Sequence, residues 1–80
     1  MTREEIIEKL TTIFHDVFGD DSIVLRDDMT SADVENWDSL THMLMIATVE
    51  NEFGIKFKLK ELNKLKLVGD LVSIVESKVQ

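Results

Sequence analysis

The sequence has no cysteine among its 80 residues. That excludes a disulfide framework and a thiolate metal cluster, so stability must come from apolar helix packing, in a compartment read as reducing. A chain this short buries only about 60 to 65% of the surface its unfolded form exposes, which argues against a deep catalytic cleft. No apolar run approaches the roughly 18 residues of a membrane span. The opening Met1-Thr2-Arg3-Glu4-Glu5 lacks the apolar core and small-residue cleavage site of a secretory signal. The chain therefore reads as cytoplasmic, with no membrane role. Internal repeats, proline-rich linkers and low-complexity tracts are also missing, so residues 1–80 read as one domain.

Basic residues are scarce: 9 Lys and Arg face 16 Asp and Glu, for a net charge of -7. This balance argues against nucleic acid or anionic lipid as a ligand and favours basic protein surfaces. The deficit is uneven. Residues 1–55 hold 3 basic and 13 acidic side chains, whereas residues 56–80 hold 6 basic and 3 acidic ones.

What the sequence does have is helical periodicity. Thr2 and Glu5 fit a capping box, and Ile6, Ile7, Leu10, Ile13, Phe14, Val17 and Phe18 recur at three- and four-residue steps, predicting a helix that ends near Gly19. From Asp20 to Asp38 the pattern dissolves into acidic and small polar residues, interrupted by Ile23, Val24, Leu25, Met29, Val34 and Trp37. So long a connection is expected to be functional or pinned by those apolar side chains. Ile23-Val24-Leu25 has strand character but no sequence partner, so no strand is expected. Asp38 or Ser39 caps a second helix running from about Leu40 to Phe53 and closed by Gly54. Its apolar residues, Leu40, Met43, Leu44, Met45, Ile46, Ala47 and Val49, go most of the way round, predicting either a central position or apolar surface left for a partner. Leu59 to Leu65 makes a short helix. Val68 to Val79 makes a last one whose start offers no side-chain cap, so fraying is expected there. The fold class is thus all-α: a small antiparallel four-helix bundle of three longer helices and a short third, with a long loop between the first two.

The stretch Asn36-Trp37-Asp38-Ser39-Leu40-Thr41-His42 puts a serine hydroxyl at the amino-terminal end of a helix. Unpaired amides and the positive end of the helix dipole suit an anion there, a phosphodiester on Ser39 included. A plain capping role for Ser39 fits the same residues. Asp38-Ser39-Leu40 resembles the attachment motif of acyl carrier proteins, and the match extends through Met43, Ile46, Val49, Glu50, Phe53, Phe57, Leu62, Leu65, Val68, Leu71 and Val75.

The resemblance implies a non-enzymatic, monomeric carrier. A phosphopantetheinyl transferase would move 4'-phosphopantetheine from coenzyme A to Ser39, flanked by Asp38 and Leu40, and the arm would hold acyl cargo as a thioester for loading, modifying and transfer enzymes. It further implies an acyl pocket lined by Met43, Ile46, Val49, Leu62, Leu65 and Leu71. Met43 and Met45 would be adaptable elements there. The exposed face of the second helix, Thr41, Leu44 and Thr48, would dock partners with little charge to steer them, and Leu44 would serve as an apolar anchor. That weak charge, the lysines of segment 56–66 and Trp37 ahead of the motif depart from many fatty-acid carriers. Trp-Asp-Ser-Leu looks like the form in discrete carriers of specialised pathways.

Trp37 is expected to fold against the bundle, and His15 to be structural. His42, three residues after Ser39, is a candidate partner of the cofactor phosphate when protonated. A Ser39–His42 hydrolytic dyad lacks an orienting third group. Two further functions remain from other classes. A calcium-binding helical module is suggested by Asp20, Asp21, Asp27, Asp28, Asp33 and Glu35, yet no window supplies the alternating ligands, the glycine and the final glutamate of an EF-hand, and no metal site is expected. An unmodified helical docking adaptor would keep the fold and dispense with the arm.

Overall fold

The computed structural model describes residues 1–79. Four helices follow one another: α1 (Arg3–Phe18), α2 (Ser39–Phe53), α3 (Leu59–Asn63) and α4 (Val68–Lys78), with a single 3-10 turn at Ser31–Asp33 in the long connection. There is no strand among the described residues, Ile23-Val24-Leu25 included. The all-α four-helix architecture is therefore as the periodicity predicts.

Helix α1 starts and stops where the sequence says it should. The Thr2 hydroxyl accepts from the Glu5 amide at 3.1 Å while the Glu5 carboxylate accepts from the Thr2 amide at 2.9 Å, the reciprocal arrangement of a capping box. At the other end Gly19 adopts φ 66°, a left-handed conformation that glycine takes without a Cβ penalty. One face of α1 (Ile6, Leu10, Ile13, Phe14 and Phe18) is buried and packs against both α2 and α4. Met45, Ile46 and Val49 of α2 and Val68, Leu71, Val72 and Val75 of α4 complete the core.

The long connection is held from within the core. Ile23, Met29 and Val34 are buried, and Trp37 and Leu25 pack against the same cluster. Its backbone also performs a task that the sequence does not announce. No side chain of the preceding residues caps α4, as expected, but its start is not left to fray. The Val68 amide donates to the Met29 carbonyl and the Gly69 amide to the Asp27 carbonyl, both at 2.9 Å. The Asp70 carboxylate accepts from the amides of Lys66 and Leu67 at 3.1 and 2.9 Å. Orphan amides of a helix start are thus satisfied by carbonyls from some forty residues upstream. Arg3 reinforces the junction by pairing with Asp27 of the connection at 3.4 Å and Glu76 of α4 at 3.2 Å.

Helix α3 has only five residues, too few to be stable alone. It is held by Leu62 and Leu65 against the core and by Glu61, which pairs with Lys78 of α4 at 3.0 Å.

Candidate functional site

Ser39 is the first residue of α2 and is exposed. The local sequence explains the placement. Asn36 takes φ 69°, turning the chain, and its carbonyl accepts from the Thr41 hydroxyl at 2.6 Å. The Asp38 carboxylate accepts from the amides of Leu40 and Thr41 at 3.0 and 2.9 Å, and the Thr41 hydroxyl accepts from the Asp38 amide at 2.9 Å. These bonds hold the Asp38 carboxyl below the usual carboxylate range, the Thr41 amide contributing most. Asp38, not Ser39, is the cap, so the Ser39 hydroxyl is left free of capping duty.

The same bonds correct one expectation. The amides of Leu40 and Thr41 are already taken by Asp38, so they do not stand open to a phosphate on Ser39. Lys66 is among the residues that surround Ser39. An open groove of about 220 Å³ beside Ser39 is lined by Ser31, Trp37, Asp38, His42, Leu65 and Lys66. Next to it lies a small apolar cavity of about 20 Å³ walled by Trp37, His42, Met45, Leu65, Lys66, Leu67, Val68 and Leu71.

Trp37 folds against the bundle as expected. Its ring meets Phe14 edge-on at 5.3 Å between centroids and lies 5.2 Å from Phe18, separations at which aromatic pairs attract. Its indole Nε1 donates to His42 Nδ1 at 3.0 Å, and the two rings stack with 16° between their planes. Because Nδ1 accepts that bond, the imidazole is neutral with its proton on Nε2. Partial burial pushes the His42 pKa down in the same direction. Both observations count against the expectation of a protonated His42 paired with a phosphate. His15 is structural as expected, its Nε2 lying 2.8 Å from the Ile23 carbonyl.

The residues expected to form an acyl pocket are not all brought together. Leu65 and Leu71 line the cavity, Ile46 and Val49 are buried in the core without lining it, and Leu62 is half-buried against that core. Met43 is 53% exposed and stands outside; Met45, 1% exposed, occupies the wall instead. Two positions along a helix amount to about 200°, the difference between facing the core and facing water. On the expected docking face only Leu44 presents an exposed side chain. Thr41 is half-buried with its hydroxyl turned to the loop, and the Thr48 hydroxyl bonds back to the Leu44 carbonyl at 2.8 Å. Leu40, 80% exposed, lies on the helix as apolar surface of the kind its apolar excess predicts. No cluster of metal-ligating side chains occurs among the described residues, and no described helix is long and apolar enough to cross a membrane.

No protein-family model matches the chain. Individual proteins do. Over 78 residues it is 33% identical to the acyl carrier protein of Thermotoga maritima, covering 98% of this chain and 96% of that one. It is 33% identical to the acyl carrier protein of Thermosynechococcus vestitus, covering 99% and 98%, and 34% identical to that of Coprothermobacter proteolyticus, covering 96% and 94%. The fold superposes on the solution NMR structure of the holo acyl carrier protein from Geobacter metallireducens with a TM-score of 0.88 and 49% identity, over 92% of this chain and 85% of that one. Full-length similarity to proteins of one kind, on a bundle of the same shape, places the chain in the acyl carrier protein family, whose members are carriers and not enzymes.

Proposed function

We propose that Ser39 is the attachment point of a 4'-phosphopantetheine arm on which this chain carries acyl intermediates. The single observation that supports it best is a free, exposed serine hydroxyl at the first residue of α2, opening on a groove that borders an apolar cavity. The residues fit the group. Ser39 offers the oxygen, the Lys66 ammonium on the groove wall complements a phosphodiester, and Trp37 and Leu65 give the arm apolar surface to lie on. When bound, the group supplies a terminal thiol that holds an acyl chain as a thioester.

In the loading reaction the Ser39 oxygen attacks the phosphorus of coenzyme A that bears the pantetheine. The bond to 3',5'-ADP breaks with its electron pair on the nucleotide, and the hydroxyl proton passes to the phosphopantetheinyl transferase. Asp38 keeps the start of α2 rigid throughout, because its carboxylate and carbonyl take the amides of Leu40, Thr41 and His42.

The finer reading is a discrete cytoplasmic carrier of a specialised acyl-transfer pathway, working as a monomer with a dedicated set of loading, modifying and transfer enzymes. It is supported by the apolar, weakly charged surface formed by Leu40, Met43 and Leu44 beside Ser39, and by the lysines that follow it at 56, 58, 60, 64 and 66. Such a surface fits partners with an apolar socket rimmed by carboxylates.

Incubation with coenzyme A and a promiscuous phosphopantetheinyl transferase tests the attachment. A mass gain of one arm per chain in the wild type and none in Ser39→Ala is expected. No gain favours the unmodified docking adaptor, and an equal gain in the variant rejects Ser39 as the attachment point. Intact mass measurement on protein taken from its native host reports the cargo as well.

A further inference from the structure

Two side-chain bonds bridge the turn from the long connection into α2, and Ser39 lies within the span of both. In one the Thr41 hydroxyl donates to the Asn36 carbonyl at 2.6 Å. In the other the Trp37 indole Nε1 donates to His42 Nδ1 at 3.0 Å, with the two rings stacked 16° from parallel. The first is local, since both of its ends belong to the turn it shapes. The second reaches further.

The Trp37 indole is seated on Phe14 and Phe18 of α1, at 5.3 and 5.2 Å between centroids. Its acceptor, His42, follows Ser39 by three residues, about 60° round the axis of α2 and about 5 Å along it. The bond therefore ties the first turn of α2, with Ser39 on it, to the buried end of α1. It is not needed for capping, because Asp38 already takes the amides of Leu40, Thr41 and His42. What it adds is a fixed direction of that turn relative to the rest of the bundle. Both partners are half-buried, so water competes weakly for the bond.

We propose that His42 is a positioning residue for transfer of the arm: by holding the Trp37 indole it fixes where the Ser39 oxygen stands when it attacks phosphorus. Phosphoryl transfer requires the attacking and leaving oxygens to be roughly in line, and a displacement of about 1 Å can cost about 100-fold in rate. His42 touches neither coenzyme A nor the reacting atoms in this role. Nor does it take the Ser39 proton, since its Nδ1 is occupied by the indole and its Nε2 already carries a hydrogen. The inference rests on the reading of Ser39 as the attachment point.

Steady-state transfer from coenzyme A by a promiscuous phosphopantetheinyl transferase, followed by intact mass at varied carrier concentration, tests the role. His42→Asn keeps an acceptor near the place of Nδ1, whereas His42→Phe keeps a ring and has none. The Phe variant should lose at least fivefold in kcat with its KM within twofold of the wild type, and the Asn variant should return to within twofold of the wild-type kcat. A merely structural role moves the other quantity: a partly unfolded population lowers the concentration of competent carrier, which raises the apparent KM and leaves kcat alone. Trp37→Phe breaks the same bond from its other end and should also lose at least fivefold in kcat, so it serves equally if His42→Phe does not fold. Combining the two should cost no more than either alone, because they remove one interaction. The bond itself is read from the indole N–H of Trp37, the only tryptophan, which should exchange with solvent at least tenfold faster in His42→Phe than in the wild type or His42→Asn. Wild-type kcat in the variants that lack the bond, an Asn variant as slow as the Phe variant, or losses that multiply in the double variant would overturn the positioning role and leave the attachment standing. A wild type that accepts no arm sinks the Ser39 reading, and the positioning role with it.

Discussion

Replacing Gly69 with alanine sets two effects of opposite sign against each other. Inside a helix, alanine is favoured over glycine by about 1 kcal/mol. Gly69, however, is where α4 meets the long connection: a Cβ there would lie 2.9 Å from the Asp27 carbonyl oxygen, 3.1 Å from the Asp27 Cβ and 3.3 Å from its Cα. Two of these three atoms are backbone, so the clash cannot be relieved by turning a side chain. The connection must retreat, and the bonds from the Gly69 amide to Asp27 and from the Val68 amide to Met29 lengthen together. At about 1.5 kcal/mol for each bond lost from a poorly hydrated junction, less about 1 kcal/mol of helix propensity, the net loss is about 2 kcal/mol. For a domain of this size that lowers Tm by about 8 to 16 °C. Thermal unfolding by circular dichroism measures it, with amide exchange at Val68 and Gly69 as the local readout. Gly19→Ala is the control. Nothing lies within 4 Å of its Cβ position and its φ of +66° alone is strained, so it should cost about 1 kcal/mol and leave the α4 amides protected. A Gly69→Ala protein as stable as the wild type, or more so, would refute the idea that the loop closes the start of α4.

Phe14→Ala removes a ring with 0% exposure from the centre of the core and should cost about 3 to 5 kcal/mol in urea unfolding, leaving a domain of this size close to unfolded at room temperature. His42 is neutral when folded, with its pKa lowered by burial from the ordinary 6.5. The unfolded chain therefore binds the extra proton first, and this contribution to stability is complete above pH 6.5 and lost as the pH falls from there through the folded value; Tm against pH should fall less over that window in His42→Gln. Asp38, whose pKa is lowered from 3.8 by the bonds it accepts, should contribute stability that persists above pH 3.8 and disappears as the pH drops through its lower folded value, a fall absent in Asp38→Asn. Arg3→Ala removes two surface pairs and should cost about 0.5 kcal/mol at low salt and less at high salt.

Most of the fold was legible because its helix ends are written locally. Thr2 with Glu5, Gly19, Asp38 and Gly54 each act within four residues of their own position, and the structure finds all of them at work. The start of α4 was illegible for the converse reason. Its acceptors, the carbonyls of Asp27 and Met29, belong to residues whose side chains say nothing about where their backbone oxygens point. The site divides the same way. A helix start at Asp38 or Ser39 was readable locally, with Ser39 singled out by the resemblance of Asp38-Ser39-Leu40, and Trp37 was readable from its size and isolation in a polar loop. The choice between Met43 and Met45 for the cavity wall was not, because a helix apolar most of the way round has no phase in its pattern. The state of His42 was hidden too, since it depends on an indole that comes within reach only once Phe14 and Phe18 have seated it.

The segment between α1 and α2 finishes two helices at once. It gives carbonyl oxygens to the electropositive beginning of α4 and, through the Asp20 amide bonded to the His15 carbonyl at 3.2 Å and the Asn36 side-chain amide 3.4 Å from the Phe18 carbonyl, donors to the electronegative end of α1. A stretch almost devoid of regular structure is therefore the electrostatic complement of both dipoles. Exchanging it for a glycine–serine tether of equal length would preserve connectivity and yet strip the bundle of two terminations together, so in this molecule the irregular part behaves as a keystone.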